Sequence, residues 1–430
     1  MPGCSFKLKS SVIMMMESNN PAGNGSPANE DSSPLRAWLA VGSVTIGAFA
    51  FVTTEFLPVG LLPQIAHDLG VTPGTAGLMV TTPGVIAALS APGMMLGAGR
   101  IDRRYILIAL SVMLLASNLI SAFAPTFGWM LFGRALLGAS LGGFWTLALA
   151  AASRLVKLHE SARATAAILA GVTCATVIGV PLGTLISELA SWRATFMATG
   201  VLVAIALAAQ AALVPSLPSQ AALRFADLLE LVRRAHPRKS LLMVSLVFGA
   251  HFSSYTYIAP FLLRDAGFSM SSITWVLLGF GIIGFVSNFA VSTVVNRSLK
   301  AALMTMVVLM LTALVTMPLF RHSAPAVTAV LMAWGVAFGA IPLCLSVWMQ
   351  RATPDLPEAG SAMFVGIIQV AIAVGSSVGG AIVDHAGIAT DFRFGSVLAI
   401  LGIIAVATLS AAGAPARVDE LSEHVGAEKC

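Results

Sequence analysis

Charge is what this sequence has least of. Only 10% of its 430 residues are Asp, Glu, Lys or Arg, 57% are apolar, and the mean hydropathy is +0.90. A water-soluble chain carries about 25% charged residues, so a soluble enzyme or binding domain is excluded. Cysteine is also scarce: Cys4 and Cys430 lie in the tails, Cys174 and Cys344 in apolar stretches, and no CxxC spacing occurs. That excludes a disulfide framework and a thiolate metal site. No GxxxxGK[ST] phosphate loop is present, which rules out ATP-driven work by this chain alone. HExxH and Cys/His clusters are missing too, so no enzyme activity, metal or cofactor is expected.

What is there is apolar runs of membrane-spanning length. They fall at about 37–63, 75–98, 105–124, 129–151, 165–189, 193–213, 241–263, 272–295, 301–320, 326–348, 361–383 and 393–413. A spanning helix needs about 20 such residues, and no other open structure satisfies its backbone inside lipid. The fold class expected is therefore an all-α membrane protein with twelve transmembrane helices. The longest internal polar segment, 215–240, divides them into two six-helix halves, 37–214 and 241–413. Within it, LRFADLLELVRR reads as a short amphipathic helix on the membrane surface. Residues 1–36 and 414–430 are expected as cytoplasmic tails, the first disordered and without a signal peptide.

The basic balance of 24 Lys plus Arg against 19 Asp plus Glu does not point to nucleic acid. Nineteen of the 24 cations fall in the tails and alternate loops, four fall in the opposite loops, and Arg134 lies inside a span. Cations stay preferentially on the cytoplasmic side, which predicts a multi-pass protein with both termini cytoplasmic. The halves also echo each other: Gly179, Gly183 and Glu188 have the same offsets as Gly375, Gly379 and Asp384. Repeated halves with a site between them are the architecture of a rocking transporter.

Two charges stand out. Glu55 is the one acid placed well inside a span and Arg134 the one base. Each costs at least about 3 kcal/mol there without compensation. Depth along spans 1 and 4 puts both in the outer third, where they can face each other. The functional reading is a proton site formed by Glu55 and Arg134; the structural reading is a static ion pair that fixes helix packing. Polar groups near mid-span are His251, Gln369 and Asn288, joined by polar-edged aromatics including Trp145 and Tyr255. Such groups suit a ring-bearing solute, or serve interhelical hydrogen bonding.

These residues resemble the major facilitator superfamily, specifically its twelve-span drug:proton antiporter group, across about residues 37–413. GRIDRR, Gly99 to Arg104, is similar to the family's loop signature but lacks the glycine between its basic residues. GRALLGASLGGFW, Gly133 to Trp145, is similar to its span-4 arginine signature, and GVTCATVIGVPLG, Gly171 to Gly183, to its exporter glycine/proline signature. By resemblance, Arg134 is proton-linked, Asp102, Arg103 and Arg104 gate the cytoplasmic side, and Gly179, Pro181 and Gly183 shape an exporter's fifth span. TEFLPVGLLP, DRRY, LGGFW, TYIAP and the GSxxxxxIQ stretch ending at Gln369 look most like bacterial nucleoside exporters; arabinose-type sugar exporters share much of the pattern. The implied activity is proton-driven efflux of a small polar solute, foremost a purine nucleoside, by a monomer in the bacterial inner membrane. Sugar or drug efflux, passive facilitation and a non-transporting sensor are the alternatives.

Overall fold

The computed structural model describes residues 34–97, 101–157, 160–218 and 225–409. The tails beyond them, Gly99, Arg100 and residues 219–224 of the interdomain segment lie outside the described residues. Among the described residues there is no strand. Twelve long helices are present among the described residues: α1 (Pro34–Asp68), α2 (Leu78–Gly97), α3 (Arg103–Ala122), α4 (Phe127–Leu155), α5 (Ser161–Cys174, a π-helical turn Ala175–Gly179, then Val180–Leu189) and α6 (Trp192–Leu213) form the first half. The second comprises α7 (Ala235–Tyr255, continued by Ile258–Pro260 and a π turn Phe261–Asp265), α8 (Met270–Ser292), α9 (Val295–Thr316), α10 (Ala324–Ala352), α11 (Pro357–Ala386) and α12 (Ile388–Thr408). Ten candidate membrane spans are recognised among the described residues by length and hydropathy.

Local chemistry sets several boundaries. Asp102, Ser191 and Ser269 accept hydrogen bonds from the backbone of the first turns of α3, α6 and α8, satisfying donors that a helix start leaves free. Gly387, at φ 83°, turns the chain between α11 and α12, a conformation that favours glycine. In α5, Pro181 has no N–H for the carbonyl of Val177 four residues earlier. The π turn sits just there, and the Val177 carbonyl lies against Gly281 of α8.

One sequence expectation needs correction. The twelfth span was expected to begin near residue 393, but α12 begins at Ile388 and takes Asp391 into its first turn, where the residue is 0% exposed. Glu55 is therefore not the one acid buried within a helix. The reason is that Arg393, an exposed cation, marks the polar edge in sequence, whereas the backbone turns at Gly387.

The segment Phe225–Arg233 is a short helix that packs on α7 and α11, with Leu231 buried. Arg234, just after it, ion-pairs with Glu230 and with Asp355 of the α10–α11 loop at 2.6 and 2.5 Å. Inside the second half, Gly339 of α10 and Gly284 of α8 lie backbone on backbone, and a side chain at either has nowhere to go. Gly339→Val is expected to lower stability by about 1–3 kcal/mol or more through overpacking, read as a lower Tm in detergent. An unchanged Tm refutes the close crossing.

Contacts between the halves are uneven. We call the end with the α1–α2 and α11–α12 loops distal and the end with the chain termini proximal. α2 packs on α11 and α5 on α8 across the halves. Side-chain hydrogen bonds join one half to the other at mid-helix and distally.

Candidate functional site

α1 is broken into chemistry by its sequence TEFLP. Glu55 is 5% exposed, and its carboxylate accepts a 3.0 Å hydrogen bond from Gln369 Nε2 of α11, in the other half. The next residue, Phe56, stacks on Phe252 of α7 at 5.6 Å. The carboxylate thus meets the second half through one polar and, next door, one aromatic contact.

Arg134 shares that layer but does not pair with the Glu55 side chain. It is 0% exposed, and its three donating nitrogens reach main-chain oxygens: Nε to Met79 at 2.7 Å, one terminal nitrogen to Thr54 at 2.6 Å, the other to Glu55 at 2.7 Å. No ion pair joins the two residues among the described residues. The choice of carbonyls has a cause in the sequence. Four residues after Thr54 stands Pro58, and four after Met79 stands Pro83. A proline has no N–H to donate to the carbonyl one turn back. Two buried carbonyls are thereby left without their helical donors, and Arg134 supplies replacements. Asn118, whose Nδ2 donates to Thr54 Oγ1 at 3.2 Å, completes the layer.

Beside Glu55 and Gln369 lies an aromatic cage in the second half. His251 stacks on Phe338 with ring centroids 3.3 Å apart and on Tyr255 at 4.7 Å. Tyr255 stacks on Phe280 at 5.0 Å, and Trp334 meets His251 edge-on at 5.4 Å. His251 Nδ1 and Trp334 Nε1 are buried without a hydrogen-bond partner among the described residues, as is Gln369 Oε1. Unsatisfied buried donors and acceptors are costly, so this cluster has polar capacity for a guest.

The expected site residues divide accordingly. Glu55 meets Gln369 and His251 meets Tyr255, the two pairs being linked through the Phe56–Phe252 stack. Asn288 does not join them: its Nδ2 donates to Gly339 O at 3.0 Å and ties α8 to α10. Trp145 packs edge-on against Phe144 at 6.0 Å within the first half's core. Gly179 and Gly183 of α5 face Thr53 and Leu57 of α1. Phe252, Phe280, Trp334 and Phe338 were missed, because an aromatic residue inside an apolar run carries no signal of what it faces.

At the proximal end, Asp102 accepts from Arg104 N and Leu217 N at 2.8 Å each and from Ser216 Oγ. Partial burial pushes its carboxyl up, but the Ser216 bond, the two backbone donors and the Arg104 charge outweigh that and hold it below the usual aspartate value. Arg104 donates to Ala211 O at 2.7 Å, and Arg103 N to Leu217 O at 3.0 Å. These residues tie α3 to the end of α6 and to the linker that follows.

The distal end carries a closure. Asp384 of α11 accepts from Thr72 Oγ1 at 2.5 Å, Gly74 N at 2.8 Å and Thr75 N at 3.2 Å, all in the α1–α2 connection. Thr81 and Ser376 hydroxyls meet at 2.8 Å one layer deeper, and Thr184 meets Thr274 at 2.9 Å. Nearby, a cleft of about 460 Å³ is lined by Gln64, His67, Asp68, Trp192 and Arg264, among others.

Comparison with known proteins agrees with this architecture. Residues 44–366 match the Major Facilitator Superfamily, and the chain belongs to that family. It is 33% identical over 370 residues to the purine ribonucleoside efflux pump NepI of Salmonella paratyphi C, covering 86% of this chain and 93% of that protein; the Salmonella typhimurium pump of the same name matches equally. The crystal structure of the human organic anion transporter MFSD10 (TETRAN) superposes with a TM-score of 0.66 at 17% identity, over 87% of this chain and 100% of that one, a likeness of fold. The protein is a multi-pass membrane efflux transporter of the superfamily, not an enzyme.

Proposed function

We propose that this transporter exports a small polar ring-bearing solute, foremost a purine nucleoside, in exchange for protons, working as a monomer in the bacterial inner membrane with both termini in the cytoplasm. The observation that carries the reading is the buried Glu55 carboxylate, held to Gln369 across the halves and adjoining the aromatic cage. An acid buried among apolar helices prefers to be neutral, and opening the halves to water favours its ionised form. Alternation between the two conformations therefore moves a proton. The stacked rings of Tyr255, Phe280 and His251 offer faces to a base, and Trp334 Nε1, His251 Nδ1 and Gln369 Oε1 offer a donor and acceptors for its edge. The name of the 33% identical relatives supports the same substrate class.

One charge crossing 100 mV releases about 2.3 kcal/mol, enough for about a fortyfold gradient of neutral solute at about 1.4 kcal/mol per tenfold. The deciding experiment is a competition panel of nucleosides, pentoses and cationic drugs against export of labelled inosine from cells expressing the chain. Nucleosides are expected to compete and pentoses not; the reverse order makes it a sugar exporter. Equilibration without accumulation, unchanged by a proton-dissipating agent, makes it a passive facilitator.

In this reading the Asp384 contacts hold the distal gate shut. Each interhelical hydrogen bond is worth about 0.6 kcal/mol, so Asp384→Ala removes roughly 2 kcal/mol of closure. A cysteine placed at Ser376 is then expected to react with a water-soluble thiol reagent on the order of tenfold faster. An unchanged rate removes the gate role.

A further inference from the structure

Asp391 is the buried acid that the site above does not use. It lies in the first turn of α12, 0% exposed, and the nearby side-chain donor, the Ser254 hydroxyl, is placed without a well-formed hydrogen bond to either carboxylate oxygen. It occupies a seam of small residues where α7, α11 and α12 meet. A Cβ on Gly379 of α11 would lie 2.8 Å from Asp391 Oδ1 and 2.7 Å from the Ser253 carbonyl oxygen of α7, so both oxygens border the same spot. Ser254 Oγ of α7, also buried and unpartnered, lies against Gly395 of α12 one turn along. Oxygens crowd this seam and cations do not enter it. The titratable group facing Asp391 is Tyr257 of α7, whose hydroxyl donates to Ser376 O at 2.6 Å and which also neighbours Asp384 of α11, engaged in the distal closure. Arg393 on its own helix is exposed, and the neighbouring ring on α10, Trp334, carries no charge.

An ionised carboxylate with a single hydroxyl within reach and no counter-ion is strongly disfavoured. A protonated one is not, because its own O–H becomes the donor that the Ser253 carbonyl or the Ser254 oxygen can accept. A proton also needs no cavity, which suits a seam floored by two glycines. We propose that Asp391 is a second proton-binding site, in the half opposite Glu55, with its carboxyl neutral in the distally closed conformation. Its transport role rests on the proton-driven reading above; its occupancy does not. The site adjoins the break in α7 at Thr256 and Tyr257, and Tyr257 lies against Gly77 and Gly380 where the halves close. A change of charge at Asp391 therefore acts on the segment that shuts the distal gate. A second proton per cycle squares the solute gradient that one proton sustains.

The test uses the purified full-length chain in detergent, with infrared spectra of wild type, Glu55→Gln and Asp391→Asn at neutral pH. The expected result is two protonated-carboxyl components, one lost in Glu55→Gln and the other lost in Asp391→Asn. A band unchanged by Asp391→Asn overturns the proposal. So does a band abolished when sodium chloride replaces choline chloride, which assigns the seam to an alkali cation. Should Asp391→Asn not yield monodisperse protein, Ser254→Ala keeps the acid and is expected to shift the band; no shift overturns the assignment. In liposomes, protons moved per solute are expected to fall twofold in Asp391→Asn, and an unchanged ratio overturns the transport role. Failure of the Glu55 reading shows separately, as pH-driven export undiminished by Glu55→Gln.

Discussion

Glu55→Gln is expected to cut export driven by an imposed pH gradient to no more than a second proton can sustain, while leaving solute binding near its original strength. Glutamine preserves size and accepts the same hydrogen bond from Gln369, so the link between α1 and α11 persists. What it removes is the ability to exchange a proton. With one charge fewer moved per cycle, the drive lost is about 2.3 kcal/mol per 100 mV, and a roughly fortyfold accumulation contracts toward unity if that proton is the sole coupling ion. With a second proton at Asp391, part of the gradient survives at a reduced slope against voltage. The measurement is uptake of labelled nucleoside into inverted vesicles with pH and voltage clamped separately. Full pH-driven accumulation by the variant removes Glu55 from the coupling site.

Arg134→Leu carries the largest expected loss of stability. It strips donors from three buried main-chain oxygens, and two of those have no helical donor because Pro58 and Pro83 follow four residues on. An orphaned buried acceptor costs about 1–3 kcal/mol, so the total is roughly 3–5 kcal/mol, comparable to breaking a buried charged contact. The explanation makes a sharper demand than the loss itself. Replacing Pro58 and Pro83 with alanine in the Arg134→Leu background restores both helical donors and is expected to recover about 2 kcal/mol, an interaction visible in a mutant cycle. If the triple variant unfolds as readily as Arg134→Leu alone, the prolines are not what the arginine compensates. Arg134→Lys is expected to retain only part of the stability, because one ammonium lacks the planar fork that spans α1 and α2.

The helices were legible because a run of about 20 apolar residues has no alternative in lipid, and the long polar stretch at 215–240 gave away the two halves. Glu55 was legible for the same reason in reverse, as a charge where charge is costly. The partner of Arg134 was misread. Opposite charges at equal depth invite pairing, yet the signal for what the guanidinium does was present in the spacings Thr54 to Pro58 and Met79 to Pro83. Asp391 was misplaced by three residues of polar edge, since Asp391 and Arg393 look like one loop until the backbone turn at Gly387 is seen. The aromatic cage was the least legible. Its members come from α7, α8 and α10, and only the crossing of those helices brings Tyr255, Phe280, Trp334 and Phe338 within stacking distance.

The two faces on which the halves meet are smooth. Gly84 of α2 rides on the Gln369 carbonyl of α11, and Gly281 of α8 rides on the Val177 carbonyl of α5. Ridges locked into grooves hold most packed helices at a fixed angle, but bare main chain sliding over bare main chain has no teeth to disengage. At these two crossings no side chain stands between the helices, so the resistance to movement there falls on the neighbouring polar latches and on the Phe56–Phe252 stack.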